Sequence, residues 1–221
     1  MLKIIQVYGE TMLGAFGYTL LLALLSLLFA SILGILFGLL GTAHSKVYRA
    51  ISAVYVNAIR GWPLIVLAFF VYFTVPTLLQ KMGMTGMRFS SLYAGTIALS
   101  LNCGAYMAEI IRAGIQSIPT GQMEAARSLG MPYYQAMCKV VMPQAIRTMI
   151  PSIINQFIIT LKDTSILSAI GFPELTNATK SVVANTMNTQ GWTVAGLMYM
   201  AVILLLSQLS YRVERRLSYG S

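Results

Sequence analysis

Long stretches without a charged residue set the pattern of this chain. From Thr11 to Ala43 there are 33 residues with no Asp, Glu, Lys or Arg, and Gly61–Gln80 and Phe89–Ala108 give 20 each. Ser181–Tyr211 gives 31 more. A fifth stretch, Thr148–Leu161, is only 14 residues long, but apolar sequence resumes beyond Lys162-Asp163. A helix that crosses the hydrocarbon core needs about 20 mostly apolar residues. In lipid every backbone polar group must be satisfied internally, which favours helices over open strands. The pattern therefore predicts an all-α integral membrane protein with five transmembrane helices, at about 15–40, 53–79, 90–112, 146–170 and 192–212.

Composition removes the soluble alternatives. Hydrophobic residues make up 57% of the 221, charged residues 10%, and the mean hydropathy is +0.74. That leaves too little polar surface to coat a water-soluble enzyme, and it excludes a disordered tail. Two cysteines, Cys103 and Cys138, imply no disulfide framework. The first apolar run is too long for a cleavable signal segment, and nothing resembling a linker divides residues 1–221, so a single membrane domain is expected. The net charge of +9 speaks to orientation. Lys46, Arg49, Arg112, Arg127, Lys139, Arg147, Arg212, Arg215 and Arg216 fall on one side, against Lys3, Lys81, Arg88 and Lys180 on the other. The positive-inside rule makes the first group cytoplasmic, with the N-terminus outside and the C-terminus inside.

The longest inner loop, 113–145, is punctuated like two short helices. Pro119 and Gly121 break the incoming span, Gly130 suits a C-terminal cap, and Pro132 fits the start of a second helix that ends before Pro143. A stubby elbow of this kind is a docking device. Ala125, Ala126 and Gly130 allow close approach, and Glu124 and Arg127 can pair with a partner. Two other readings are an amphipathic loop resting on the membrane and a DNA-reading helix-turn-helix of a membrane-anchored regulator; the spans running straight into both ends of the loop argue against the second.

Glu124-Ala125-Ala126-x3-Gly130-x9-Val140-x-Met142-Pro143 resembles the EAA signature of permease subunits of ATP-binding-cassette importers, whose usual form ends Ile-x-Leu-Pro. Arg60-Gly61-Trp62-Pro63-Leu64, the run Asn102–Arg112, and Lys162-Asp163-Thr164-Ser165 are similar to landmarks of the polar amino acid uptake subfamily, which usually has Thr where Trp62 stands. The resemblance covers about Gly17 to Arg216. It implies the type I importer permease fold, with 113–145 as the coupling loop. It also implies a second permease subunit, identical or related, and two ATP-binding subunits docked on the Glu124 helix. An extracytoplasmic amino-acid-binding protein would complete a system of the bacterial inner membrane. ATP and Mg would belong to the partner ATPase, because this chain has no Gly-x-x-x-x-Gly-Lys-Ser/Thr phosphate cradle. No cofactor, metal, catalytic residue or nucleic acid is expected on the chain itself; lipid is.

Ionisable groups inside spans are costly and are functional candidates. Gln156, Thr160 and Asp163 are spaced to share one helical face. For a zwitterionic amino acid, Asp163 suits the ammonium and Arg60 the carboxylate. Gln156 would read the side chain, and Asn102 would add a polar contact. Local alternatives are that Asp163 pairs with Lys162 or caps a broken helix end, and that Arg60 pairs with Glu109 or anionic lipid. Glu109 and Arg112 read as a helix-surface pair. Gly34 and Gly38 read as a close helix contact, Pro63 and Pro151 as flex points, and lone His44 as no metal ligand. The rival transport class is an ion-gradient-driven secondary transporter, which five spans without an inverted half disfavour.

Overall fold

A computed structural model describes residues 2–84 and 86–218, with side chains described as far as Arg215, so the Arg216 side chain counted above lies outside the described residues. Eight helices occupy them: α1 Leu2–Thr42, α2 Lys46–Arg60, α3 Leu64–Lys81, α4 Ser91–Gln116, α5 Thr120–Ser128, α6 Tyr133–Ile170, α7 Leu175–Thr186 and α8 Gln190–Ser218. Helices α1, α3, α4, α6 and α8 are the five long and apolar enough to cross a membrane.

The bundle is organised around α4, which packs along α1 on one side and α6 on another. The reason is in the sizes of the residues. The buried stripe of α1 is made largely of small side chains: Ala15, Thr19, Ala23, Ser26, Ala30, Gly34 and Gly38. Its exposed faces carry the large ones, among them Leu24, Leu28, Ile32 and Leu36. Lipid is as apolar as leucine, so helices in a membrane gain by close backbone packing, and small residues allow it. At Gly34 a Cβ would stand 2.6 Å from Met107 Cβ, and at Gly38 one would stand 2.8 Å from Ile111 Cβ. The expected Gly-x-x-x-Gly contact is the seam between α1 and α4.

Two expected boundaries are corrected. The second span does not run unbroken over 53–79. Helix α2 closes at Arg60, and Pro63, extended at φ −59° and ψ 136°, opens α3. Proline drives the residue before it out of the helical region. Pro63 is thus a helix start and not a kink. Helix α2 is held from the side, with Ser52 Oγ donating to the Phe37 carbonyl at 2.7 Å and Tyr55 OH to the Leu101 carbonyl at 2.9 Å.

The elbow's second helix does not end before Pro143 either. It continues through the proline as the start of α6. A wide π-helical turn at Met137–Val141 precedes Pro143, and another at Phe70–Thr74 precedes Pro76 in α3. In both helices the proline follows the turn by two residues, where the widened backbone leaves room for the ring and its missing donor. Pro151 also lies inside α6.

Helix α7 was not foreseen, because 181–211 carries no charge to mark a boundary. Met187, with φ 50°, ends it. Its other end is fixed by Glu174, whose carboxylate accepts from the backbone N–H groups of Thr176 and Asn177, both at 2.7 Å, and from Tyr199 OH at 3.0 Å. Burial pushes the Glu174 carboxyl above the ordinary carboxylate range, and these bonds oppose that shift. They tie α7 to α8.

Candidate functional site

Where α2 breaks, a cavity of about 540 Å³ opens between the break, α4 and α6. Arg60, Asn102, Gln156 and Asp163 all line it. Four residues drawn from three separate segments therefore meet in one space. Arg60 is the last residue of α2, where the helix dipole favours a cation. Its guanidinium lies over the Tyr106 ring, 4.9 Å from the centroid. Glu109 does not take Arg60 as an ion-pair partner. Its carboxylate holds Arg112 in a two-point pair, with Arg112 Nε to Glu109 Oε2 at 3.0 Å.

Asn102 and Gln156 are 7% and 6% exposed, and both line this cavity. Beyond the weak thiol of Cys103 beside Gln156, neither amide has a hydrogen-bond partner among the described residues. Thr160 drops out of the expected polar stripe. It is fully buried and donates to the Gln156 carbonyl at 2.9 Å, while Ile159 takes the cavity-facing position. Asp163 is the last α-helical residue of α6 before the 3₁₀ turn Thr164–Ile170. Although adjacent to Lys162, it makes no ion pair among the described residues. A second cavity of about 480 Å³, lined by Ser152, Asn155 and Ser207, adjoins the same Gln156 on the elbow side.

The elbow lies at the other end of α6. Helix α5 stops in a tight cap: Gly130 N–H donates to the Arg127 carbonyl at 3.0 Å and Met131 N–H to the Ala126 carbonyl at 3.2 Å. That pair of bonds requires a left-handed residue, and Gly130 has φ +85°. Glu124, Ala125, Arg127, Gly130 and Pro143 are exposed, and among the described residues neither Glu124 nor Arg127 forms an ion pair. Ala126 is corrected. It is 4% exposed, so it is not surface that the elbow offers to a partner. Gln144 Nε2 donates to Gln122 Oε1 at 3.2 Å, which fastens α5 to α6 directly. His44 meets Tyr133 edge-on at 5.0 Å, and no cluster able to hold a metal occurs among the described residues.

Residues 30–219 match the family described as binding-protein-dependent transport system inner membrane component. The chain belongs to that family. It is 36% identical over 200 residues to the arginine transport system permease protein ArtQ of Bacillus subtilis (strain 168), covering 90% of this chain and 89% of that one. It is 35% identical over 214 residues to the L-cystine transport system permease protein TcyB of the same organism, covering 96% and 88%. Among solved structures, a crystal structure of an amino acid ABC transporter with histidines superposes with a TM-score of 0.88 at 34% identity, covering 97% of each chain. Neither the DNA-reading nor the gradient-driven alternative gains support.

In this permease several further side chains line the site or stand at the elbow. Tyr106 stands four residues after Asn102, so helical spacing alone would have put both on one face. Trp62, Leu64 and Ile159 supply apolar wall to the cavity. At the elbow, Leu129 is 84% exposed and Tyr134 77%, a large apolar tip beside the capping glycine. No local signal distinguishes these two from core residues before the fold is known.

Proposed function

We propose that this permease is the membrane half of an ATP-driven importer for a polar amino acid and that the cavity at the α2 break is its substrate site. The observation that carries this reading is the convergence of Arg60, Asn102, Gln156 and Asp163 on one cavity. A zwitterion matches it: the guanidinium takes the carboxylate, the aspartate takes the ammonium, and two amides remain for the side chain. An empty apolar hole would need none of these costly groups.

Two copies of the chain, or this chain and a related sister, complete the pathway. Two ATP-binding subunits hold the ATP and Mg and dock on the elbow, with Glu124, Ala125, Arg127 and Gly130 as the contact and Leu129 filling an apolar hollow. Pro143 lies next to that contact. The chain itself is non-catalytic. An extracytoplasmic amino-acid-binding protein delivers the substrate at the face opposite the elbow. In the bacterial inner membrane the elbow is cytoplasmic, the N-terminus outside and the C-terminus inside, a reading supported by the excess of basic residues at that face.

Coupling follows from the continuity of α6. The helix rises about 1.5 Å per residue, so Gln156 stands some 18 Å along it from Gln144, where α5 is fastened. Movement of the docked ATPase is carried along α6, past the proline at Pro151, to the end that bears Gln156 and Asp163. Gln156 borders both cavities, so a shift there joins or separates them, and alternating access needs such a partition.

The test is ATP-driven uptake by vesicles containing the complete transporter. Asp163→Asn and Arg60→Leu are each expected to lower amino acid uptake by about tenfold or more, with ATPase subunits still bound. Wild-type uptake by both variants would refute the site.

A further inference from the structure

The charges in the cavity balance. Among the residues that line it, Arg60 is the one cation and Asp163 the one anion. The nearby charges are engaged or turned away. Glu109, on α4, is closed onto Arg112. Lys162, next to Asp163, is exposed and does not line the cavity. A bound amino acid uses its carboxylate on Arg60 and its ammonium on Asp163, and nothing ionic is then left for its side chain. What remains is Asn102 and Gln156, each with a donor and an acceptor, and the apolar wall of Trp62, Leu64 and Ile159.

We propose that the cavity selects amino acids whose side chain is uncharged and both donates and accepts hydrogen bonds, as a carboxamide or hydroxyl does. The inference rests on reading this cavity as the substrate site. A cationic side chain would enter a low-dielectric space without a second acid, and an anionic one without a second base. A purely aliphatic side chain would strand two amides that are more than nine-tenths buried, and sites built to hydrogen-bond discriminate strongly against ligands that leave them unpaired. Relatives at 36%, 35% and 38% identity carry arginine, L-cystine and glutamine in their names, so overall similarity does not decide among side chains.

The test is direct binding of glutamine, serine, lysine, glutamate and leucine to the complete permease–ATPase complex in lipid nanodiscs, with no binding protein present. Glutamine or serine should bind at least about tenfold more tightly than each of the other three. Gln156→Glu adds a second acid and should move the lysine-to-glutamine ratio toward lysine by about tenfold or more. Asn102→Asp should do the same and serves if the first variant fails to assemble with its ATPase. A charged or aliphatic amino acid binding as tightly as glutamine, or no change of ratio in an assembled variant, overturns the proposal. Arg60→Gln and Asp163→Asn separate it from the reading beneath it. If both abolish binding of every amino acid, the site stands whichever way selectivity falls. If neither weakens any, the site itself lies elsewhere.

Discussion

The elbow and the cavity meet opposite ends of one helix, α6, and obey opposite rules. At the elbow, Glu124 and Arg127 face outward, where an unpaired charge costs little, and the backbone is closed by its own hydrogen bonds around Gly130. In the cavity, Arg60 and Asp163 stand among apolar membrane-span residues, where ionisable groups are rare, and Asn102 and Gln156 are buried with almost no protein partner. On the proposed reading the elbow, closed by its own hydrogen bonds, receives another protein, and the cavity, short of polar partners, receives a small polar molecule. Each region is then expected to be alterable without a change in the affinity of the other.

The largest effect is expected at the elbow. Gly130→Val places a β-branched residue at φ +85°, a conformation only glycine adopts without strain. Uptake should fall by about a hundredfold or more, while amino acid binding to the assembled complex stays within about twofold. Next come Arg60→Leu and Asp163→Asn, which should lose binding and uptake together, about tenfold or more, while the ATPase subunits still copurify. A cavity variant that loses its ATPase, or an elbow variant that loses substrate affinity, would merge the two regions into one.

Tyr106 sharpens the comparison within the cavity. If its ring holds the Arg60 guanidinium in place, Tyr106→Phe should bind amino acid nearly as wild type. Tyr106→Leu should weaken binding by about two- to fivefold, in line with roughly 0.5–1 kcal/mol for a cation over an aromatic face. Equal affinities for the two variants would remove the ring from the site. The smallest effect on function is expected from Gly34→Ala. The added Cβ collides with Met107, so the α1–α4 seam must shift at a cost of about 1–3 kcal/mol, read as a lower melting temperature in detergent. Because that seam supports both regions, binding and uptake should decline in step.

The same contrast explains what was legible in the sequence. The elbow is contiguous: Pro119, Gly130 and Pro132 lie within fourteen residues, and each acts on the backbone beside it. The cavity is assembled from Arg60, Asn102 and the 156–163 turn, yet its four residues could be named because polar side chains in apolar spans are rare. Tyr106, Trp62 and Ile159 escaped because aromatic and aliphatic residues in spans look like packing. Ala126 was misread for the opposite reason, since a small residue suits a docking surface and a buried seat equally. The course of α6 through Pro143 was hidden because a proline commonly ends a regular helix, whereas here the π-helical turn before it makes room for the ring. The boundary between α7 and α8 falls inside one uncharged stretch, 181–211, where charge counting finds no break.

The measurement closest to the central claim is made on Glu124→Lys in the reconstituted complex, with glutamine binding and ATP-driven uptake read on the same vesicles. Binding within about twofold of wild type with uptake abolished is the predicted result. Uptake at the wild-type rate, or loss of binding along with uptake, would contradict the division between a docking elbow and a substrate cavity.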